Sequence, residues 1–199
     1  MTDIHLTTDR LRIRPPTLDD AVALNAAVVA SLPELRPFMP WATPDPDVAA
    51  TRAFIEHAIA QTAADIEYPL LLTTHDGKIV GSIGLHHVDW RIPTVELGYW
   101  AATPWQRRGL IREATAALAD YALAMMGLRR VEIRASDRNA RSWRIPEAIG
   151  FTHDGTLRWS RVDPDGTVGH TRIYARCQDH PKPQEQWASI HRRARGLSP

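Results

Sequence analysis

Residues 95–115 read VELGYWAATPWQRRGLIREAT, and this stretch decides the fold. Val95, Leu97 and Tyr99 alternate with Glu96, Gly98 and Trp100, the two-residue period of a strand whose faces meet different surroundings. Ala101–Pro104 ends the strand. Gln106-Arg107-Arg108-Gly109 then opens a helix through Leu110, Ile111, Ala114, Ala117, Leu118, Tyr121, Ala122 and Met125, with Gly127 as its stop. A tight passage from strand to helix leaves the first helical N–H groups without acceptors, at the positive end of the helix dipole. Such a turn is an anion cradle suited to phosphate, and the two arginines add formal charge. The plainer alternative is an ordinary strand–loop–helix with a solvated arginine pair. GxxxxGK[ST] and GxGxxG are absent, which argues against nucleoside triphosphate and dinucleotide ligands.

Upstream, Thr8–Pro15 reads as an edge strand in which Leu11 and Ile13 alternate with arginines. Thr17 and Asp20 have capping-box spacing for a helix through Leu18, Ala21, Val22, Asn25, Val28 and Val29. Prolines at 33, 37, 40, 44 and 46 argue against regular structure over 33–46. Phe38 and Trp41 in that zone either plug the core or wall a substrate pocket. Asp45, with Pro46 at the first helical position, starts a second helix whose inner stripe is Val48, Phe54, Ile55, Ala58 and Ile59. Tyr68–Thr74 and Lys78–Val88 form a hairpin about His75-Asp76-Gly77, and Gly81 and Gly84 signal a bulge or a close backbone neighbour.

Downstream, Arg130–Ser136 is a strand reached through a helix from Glu96, so it runs parallel to 95–101. Asn139 caps a helix over Arg141–Ile149 that Gly150 ends. Thr152–Val162 and Thr167–Arg176 make a last hairpin around Asp163-Pro164-Asp165-Gly166. Residues 177–199 read as a polar tail with a basic end.

The 199 residues suit one domain of residues 6–176 plus this tail. With 44% hydrophobic and 24% charged residues and a net charge of +1, the composition is globular and makes no case for a nucleic-acid or membrane binder. The single Cys177 cannot form an internal disulfide. The absence of a secretory or membrane-spanning apolar run makes the cytoplasm the expected compartment. The nine histidines show no HxH or HExxH pattern, and the adjacent His86 and His87 point to opposite faces of a strand, so no metal site is expected.

The 106–111 turn resembles motif A of the GNAT acyltransferases, Q/R-x-x-G-x-G/A, with Ile111 where the family usually has Gly or Ala. ELGYW followed by Q-x-x-G, the opening strand of R-L-x-L-R-x type, and Asn139, Ser142, Gly150 and Phe151 as N-x-x-S…G-F are similar to the RimJ/RimL branch, which acetylates protein N-termini. The resemblance implies an α+β GNAT fold. Its mixed, mostly antiparallel sheet would have six to seven strands, helices on both faces, and the parallel pair 95–101 with 130–136 at the cofactor site.

The resemblance also implies acetyl-CoA as cosubstrate. Trp100, Ala101, Gln106, Arg107, Arg108, Gly109, Leu110, Ile111, Arg112, Asn139 and Ser142 would contact it. Ser142 would protonate the departing thiolate. The acceptor is an amine, either a protein N-terminus or a small molecule such as an amino acid or antibiotic, and a homodimer is suggested. A CoA-binding module without catalysis is the rival reading.

Acetyl transfer to an amine needs a neutral nucleophile, a donor for the oxyanion, and a protonated leaving thiol. Glu96, on one strand face with Gly98 and Trp100, is the candidate base, and His86 and His87 are alternatives. Trp41, His86, Trp100 and Trp159 are candidate walls of the acceptor pocket. Arg161 stands in the strand after Gly150-Phe151, where RimL has a second acidic residue.

Overall fold

The computed structural model describes residues 4–42 and 45–178. Eight strands form one sheet in the order β1-β2-β3-β4-β5-β6-β8-β7. They are β1 (Leu6–Thr7), β2 (Arg12–Arg14), β3 (Tyr68–Thr73), β4 (Ile79–Asp89), β5 (Thr94–Ala101), β6 (Arg130–Ser136), β7 (Thr152–Val162) and β8 (Val168–Cys177). The helices are α1 (Ala21–Val29), α2 (Leu32–Leu35), α3 (Val48–Ala63), α4 (Leu110–Ala124) and α5 (Ala140–Ala148). The expected GNAT architecture is present. The strand count exceeds six to seven because the N-terminal segment doubles back, pairing Leu6 with Ile13 and Thr7 with Arg12.

All pairings are antiparallel except β5 with β6. That parallel pairing covers Thr94–Arg130, Val95–Val131 and Glu96–Glu132 and then stops. Beyond Glu96 the two strands part, although β5 continues to Ala101 and β6 to Ser136. The sheet therefore carries a wedge-shaped opening at its centre.

The alternation expected in 95–100 holds. Val95 and Leu97 join Leu70, Ile83 and Leu85 beneath α4, whose Leu110, Ala114, Leu118, Ala119 and Ala122 are buried on the same side. Each fully buried Val, Leu or Ile among them contributes about 1.5–3 kcal/mol. The opposite face is covered over its first half by α1 and α3. There Leu24, Val28, Leu35, Ile55 and Leu71 make a second core, against which Trp100 packs.

Three local expectations are corrected. The proline-rich segment holds the short helix α2, with Pro33 in its first turn where no N–H is needed, and a 3-10 turn at Pro40–Ala42. Helix α3 is capped by Asp47, whose carboxylate accepts from the Ala50 N–H at 2.7 Å, while Asp45 pairs with Arg36. Its buried stripe is Thr51, Ile55 and Ala58, and Val48, Phe54 and Ile59 are exposed. Helix α4 begins at Leu110, four residues later than expected. Arg107 and Gly109 take positive φ of 58° and 76°, which the α-helix does not allow. The Asp20 carboxylate does reach back to the Thr17 N–H (2.7 Å), as the capping-box spacing predicts. The tail beyond Gln178 lies outside the described residues.

Candidate active site

The turn between β5 and α4 is built by short-range bonds. Trp105 N–H donates to Ala102 O (2.8 Å) and Gln106 N–H to Thr103 O, after which the next bond is Glu113 N–H to Gly109 O. Among the described residues the N–H groups of 107–112 have no backbone acceptor. The positive φ values at 107 and 109 curl the chain so that successive N–H groups converge, as in an anion-binding nest. A methyl group on Gly109 would touch nothing closer than 3.6 Å, so glycine is required there for its backbone angle and not for space. Ile111 packs against the main core, which turns its side chain away from the nest.

Arg107, Arg108 and Arg112 are exposed around this turn. Arg108 lies over the Trp105 ring at 5.0 Å. Gln106 is spent on structure: its amide donates to Ala101 O at 3.3 Å, and its carbonyl accepts from Arg141. The turn is braced from behind. Arg10 binds Glu113, in the first turn of α4, at 2.6 Å and donates to the Arg108 carbonyl at 2.9 Å.

On the helix-covered side of the wedge lies a cavity of about 580 Å³. Leu97, Gly98, Tyr99 and Trp100 of β5 line it, as do Ile133–Ser136 of β6, with Asn139 and Ser142 at one end. Phe38, Met39, Trp41 and Phe54 form the far wall. Trp41 stands 5.9 Å from Trp100, ring to ring, and is 48% exposed. Trp159 is not among the walls. It sits in a bulge of β7 at a φ of 53°, 71% exposed, with its edge against His170.

Asn139 caps α5, its side-chain oxygen accepting from Ser142 N–H at 3.2 Å. The Ser142 hydroxyl donates to the Tyr99 oxygen at 3.5 Å, and the Tyr99 phenol donates to the Ser142 carbonyl at 2.9 Å. Burial pushes the Tyr99 phenol far above its ordinary pKa against the opposing effect of this bond, so it stays a neutral donor.

His86 and Glu96 are direct cross-strand partners and share one face. A Cβ on Gly84 would come within 2.8 Å of His86 Nε2, and one on Gly98 within 3.4 Å of the ring. The opposed pair Gly84–Gly98 is thus a flat floor on which the imidazole lies. Its Nδ1 is 3.1 Å from Glu67. His87 breaks the expected alternation: with φ of 51° it sits in a bulge and turns to Glu96 at 3.4 Å. Glu96 also has Arg134 at 3.8 Å. Arg161 lines the cavity and is anchored by the buried Asp163 at 2.8 Å.

Residues 10–152 match the family described as Acetyltransferase (GNAT) domain. The chain belongs to the GNAT acetyltransferase family. This enzyme is 38% identical over 84 residues to "Putative ribosomal N-acetyltransferase YdaF" of Bacillus subtilis, a match covering 42% of this chain and 46% of YdaF. It is 26% identical over 155 residues to the N-acetyltransferase p20 of Bacillus licheniformis, covering 77% of this chain and 85% of p20. The crystal structure of RimL, a ribosomal L7/L12 alpha-N-protein acetyltransferase in complex with coenzyme A, superposes with a TM-score of 0.82. That match has 19% identity and covers 88% of this chain and 99% of RimL. The likeness to RimL is one of fold over most of the chain, and the sequence likeness to YdaF covers less than half of it.

The sequence missed Glu67, Tyr99 as the partner of Ser142, and Phe54 as a wall. Glu67 precedes β3, and only the pairing of Tyr68 with Leu85 sets it beside His86. That register carries no local signature. Among the described residues no helix is long and apolar enough to cross a membrane.

Proposed function

We propose that the enzyme transfers the acetyl group of acetyl-CoA to a primary amine in a ternary complex, and that the acceptor is a protein N-terminal α-amino group. One observation carries the reading. The parallel pairing of β5 and β6 ends at Glu96, and the strand that continues leads through the 3-10 turn at Thr103–Trp105 to the nest at 107–112. The nest and its arginines suit a pyrophosphate. The N–H and C=O groups that β5 leaves unpaired beyond Glu96 suit an amide-bearing arm. The residues present fit the cosubstrate.

In this reading Ser142, backed by Tyr99, delivers a proton to the departing thiolate. Glu96, negative and facing the cavity, draws in the acceptor ammonium. The N-terminal acceptor is supported by the ribosomal acetyltransferases that this chain resembles.

A second reading has support of its own. Phe38, Met39, Trp41 and Phe54 enclose an apolar space, which suits a small amine with an aliphatic or aromatic body. Acetyl-CoA-dependent release of free thiol, measured with a panel of N-terminal peptides and small amines, tests both. Peptides are expected to turn over fastest. Thiol release with small amines alone would transfer the conclusion to the second reading, and none with any amine would overturn both.

A further inference from the structure

His86 stands on β4 at the wall of the cavity. Its ring lies on the Gly84–Gly98 floor, Nδ1 is held by Glu67 at 3.1 Å, and Nε2 lies over Gly84, with a Cβ on Gly98 reaching no closer to it than 3.5 Å. A side chain at Gly84 would lift the ring, because its Cβ would come within 2.8 Å of Nε2, whereas a Cβ on Gly98 would only touch it. Glu67 accepts the Nδ1 proton, which fixes the tautomer that leaves a lone pair on Nε2. Nothing among the described residues donates to that lone pair.

We propose that His86 is the catalytic base of acetyl transfer, taking the proton of the acceptor ammonium on Nε2, and that Glu67 is its positioning residue. The inference rests on the reading that the acceptor is a primary amine. The acceptor arrives as R–NH3+. Nε2 takes one proton, giving the neutral amine and an imidazolium whose charge Glu67 balances. The nitrogen lone pair then forms the C–N bond to the thioester carbonyl, and the C–S bond breaks with its electron pair going to sulfur. The second nitrogen proton ends on sulfur through the Ser142 hydroxyl. The imidazolium returns its proton to solvent, so R–NH3+ and acetyl-CoA give the acetamide, free thiol and one proton.

The other ionisable groups around His86 are differently engaged. Glu96 on β5 is in contact with His87 of β4 and Arg134 of β6. His57 looks into the cavity from α3, with no carboxylate within ion-pairing distance among the described residues. Among the described residues only His86 combines a carboxylate on Nδ1 with a place on the cavity wall.

The test is the pH profile of kcat with the best acceptor amine, for wild type, His86→Gln, Glu67→Gln and Glu96→Gln, with acetyl-CoA affinity by calorimetry on each. His86→Gln is expected to lower kcat about a hundredfold at neutral pH, to lose the acid limb, and to recover above about pH 9, where an α-amino acceptor is already neutral. Glu67→Gln is expected to keep the acid limb but move it to lower pH, because the imidazolium loses its counter-charge. Glu96→Gln is expected to raise acceptor KM and keep the limb. Acetyl-CoA affinity should be unchanged throughout.

A wild-type profile in His86→Gln would overturn the proposal, as would loss of the limb in Glu96→Gln alone. Should His86→Gln fail to fold, an unshifted limb in Glu67→Gln overturns it equally. Failure of the wild type to bind acetyl-CoA would instead refute the proposed function, which separates the two.

Discussion

The phenol of Tyr99 donates to the backbone carbonyl of Ser142 at 2.9 Å across the gap between β5 and α5. The bond answers a vacancy that the sequence creates. Pro146 sits inside α5 and has no N–H, so the carbonyl four residues earlier has no helical donor. Tyr99 supplies the missing donor, and its oxygen in turn receives the Ser142 hydroxyl at 3.5 Å. The position of the proposed acid is therefore set by a residue on the facing strand.

Tyr99→Phe should leave that carbonyl unsatisfied in a partly buried setting. The expected loss is about 1–3 kcal/mol of stability, read from the denaturant midpoint at unchanged m. A smaller fall in kcat should accompany it as Ser142 loses its support.

Ser142→Ala should lower kcat roughly ten- to a hundredfold with little change in acetyl-CoA affinity, the signature of a group acting on the leaving thiolate. Full activity would mean that the thiolate leaves without this hydroxyl. Steady-state kinetics beside calorimetry decides it.

Gly109→Asp should abolish acetyl-CoA binding. Gly109 holds a φ of 76°, and a carboxylate there would face the bound phosphates with like charge. Gly109→Ala separates the causes: there is room for its methyl group, so it bears only the backbone cost, of order 1 kcal/mol. Calorimetric titration of the two variants should therefore rank alanine well above aspartate.

Glu113 predicts a pH effect on stability. Burial alone would raise its pKa, but bonds from Thr8 (2.6 Å) and from the Arg10 side chain and N–H hold it below the ordinary 4.5. A depressed carboxylate contributes its full stabilisation above the unfolded value, and that contribution is lost as pH falls through the lower folded value. Glu113→Gln should therefore unfold more easily than wild type at pH 7, and the difference should shrink on acidification below about pH 4. Thermal melts at the two pH values measure it.

Trp41→Ala should raise acceptor KM while leaving acetyl-CoA affinity intact, since Trp41 stands on the wall away from the nest, against Trp100. The effect should be largest for acceptors with bulky apolar groups next to the amine.

Much of this enzyme was legible in its residues because the information is local. The two-sided strand at 95–100, the parallel return at 130–136, the Asn139 cap and the stripe of α4 each follow from a period or a turn preference within a dozen residues. The turn at 106–111 and the pair Asn139 and Ser142 are candidates for the cosubstrate through their resemblance to family motifs, not through a local period. Where local rules compete, periodicity alone misplaces residues. Gln106 to Gly109 looks helical until the positive φ at 107 and 109 delays α4 to Leu110. Phe54 belongs to an apolar stripe by spacing, yet it is exposed at the cavity wall.

What the tertiary structure alone decided is which distant groups meet. Glu67 reaches His86 through the register of β3 on β4, and Tyr99 reaches Ser142 through the packing of α5 beside β5. The bulge at His87 brings it round to Glu96, and the bulge in β7 carries Trp159 away from the cavity. The physical reason is one of range. Side-chain periodicity fixes which face a residue takes on its own element, whereas a hydrogen bond between elements depends on register and bulges. Those are set by the packing of the whole sheet.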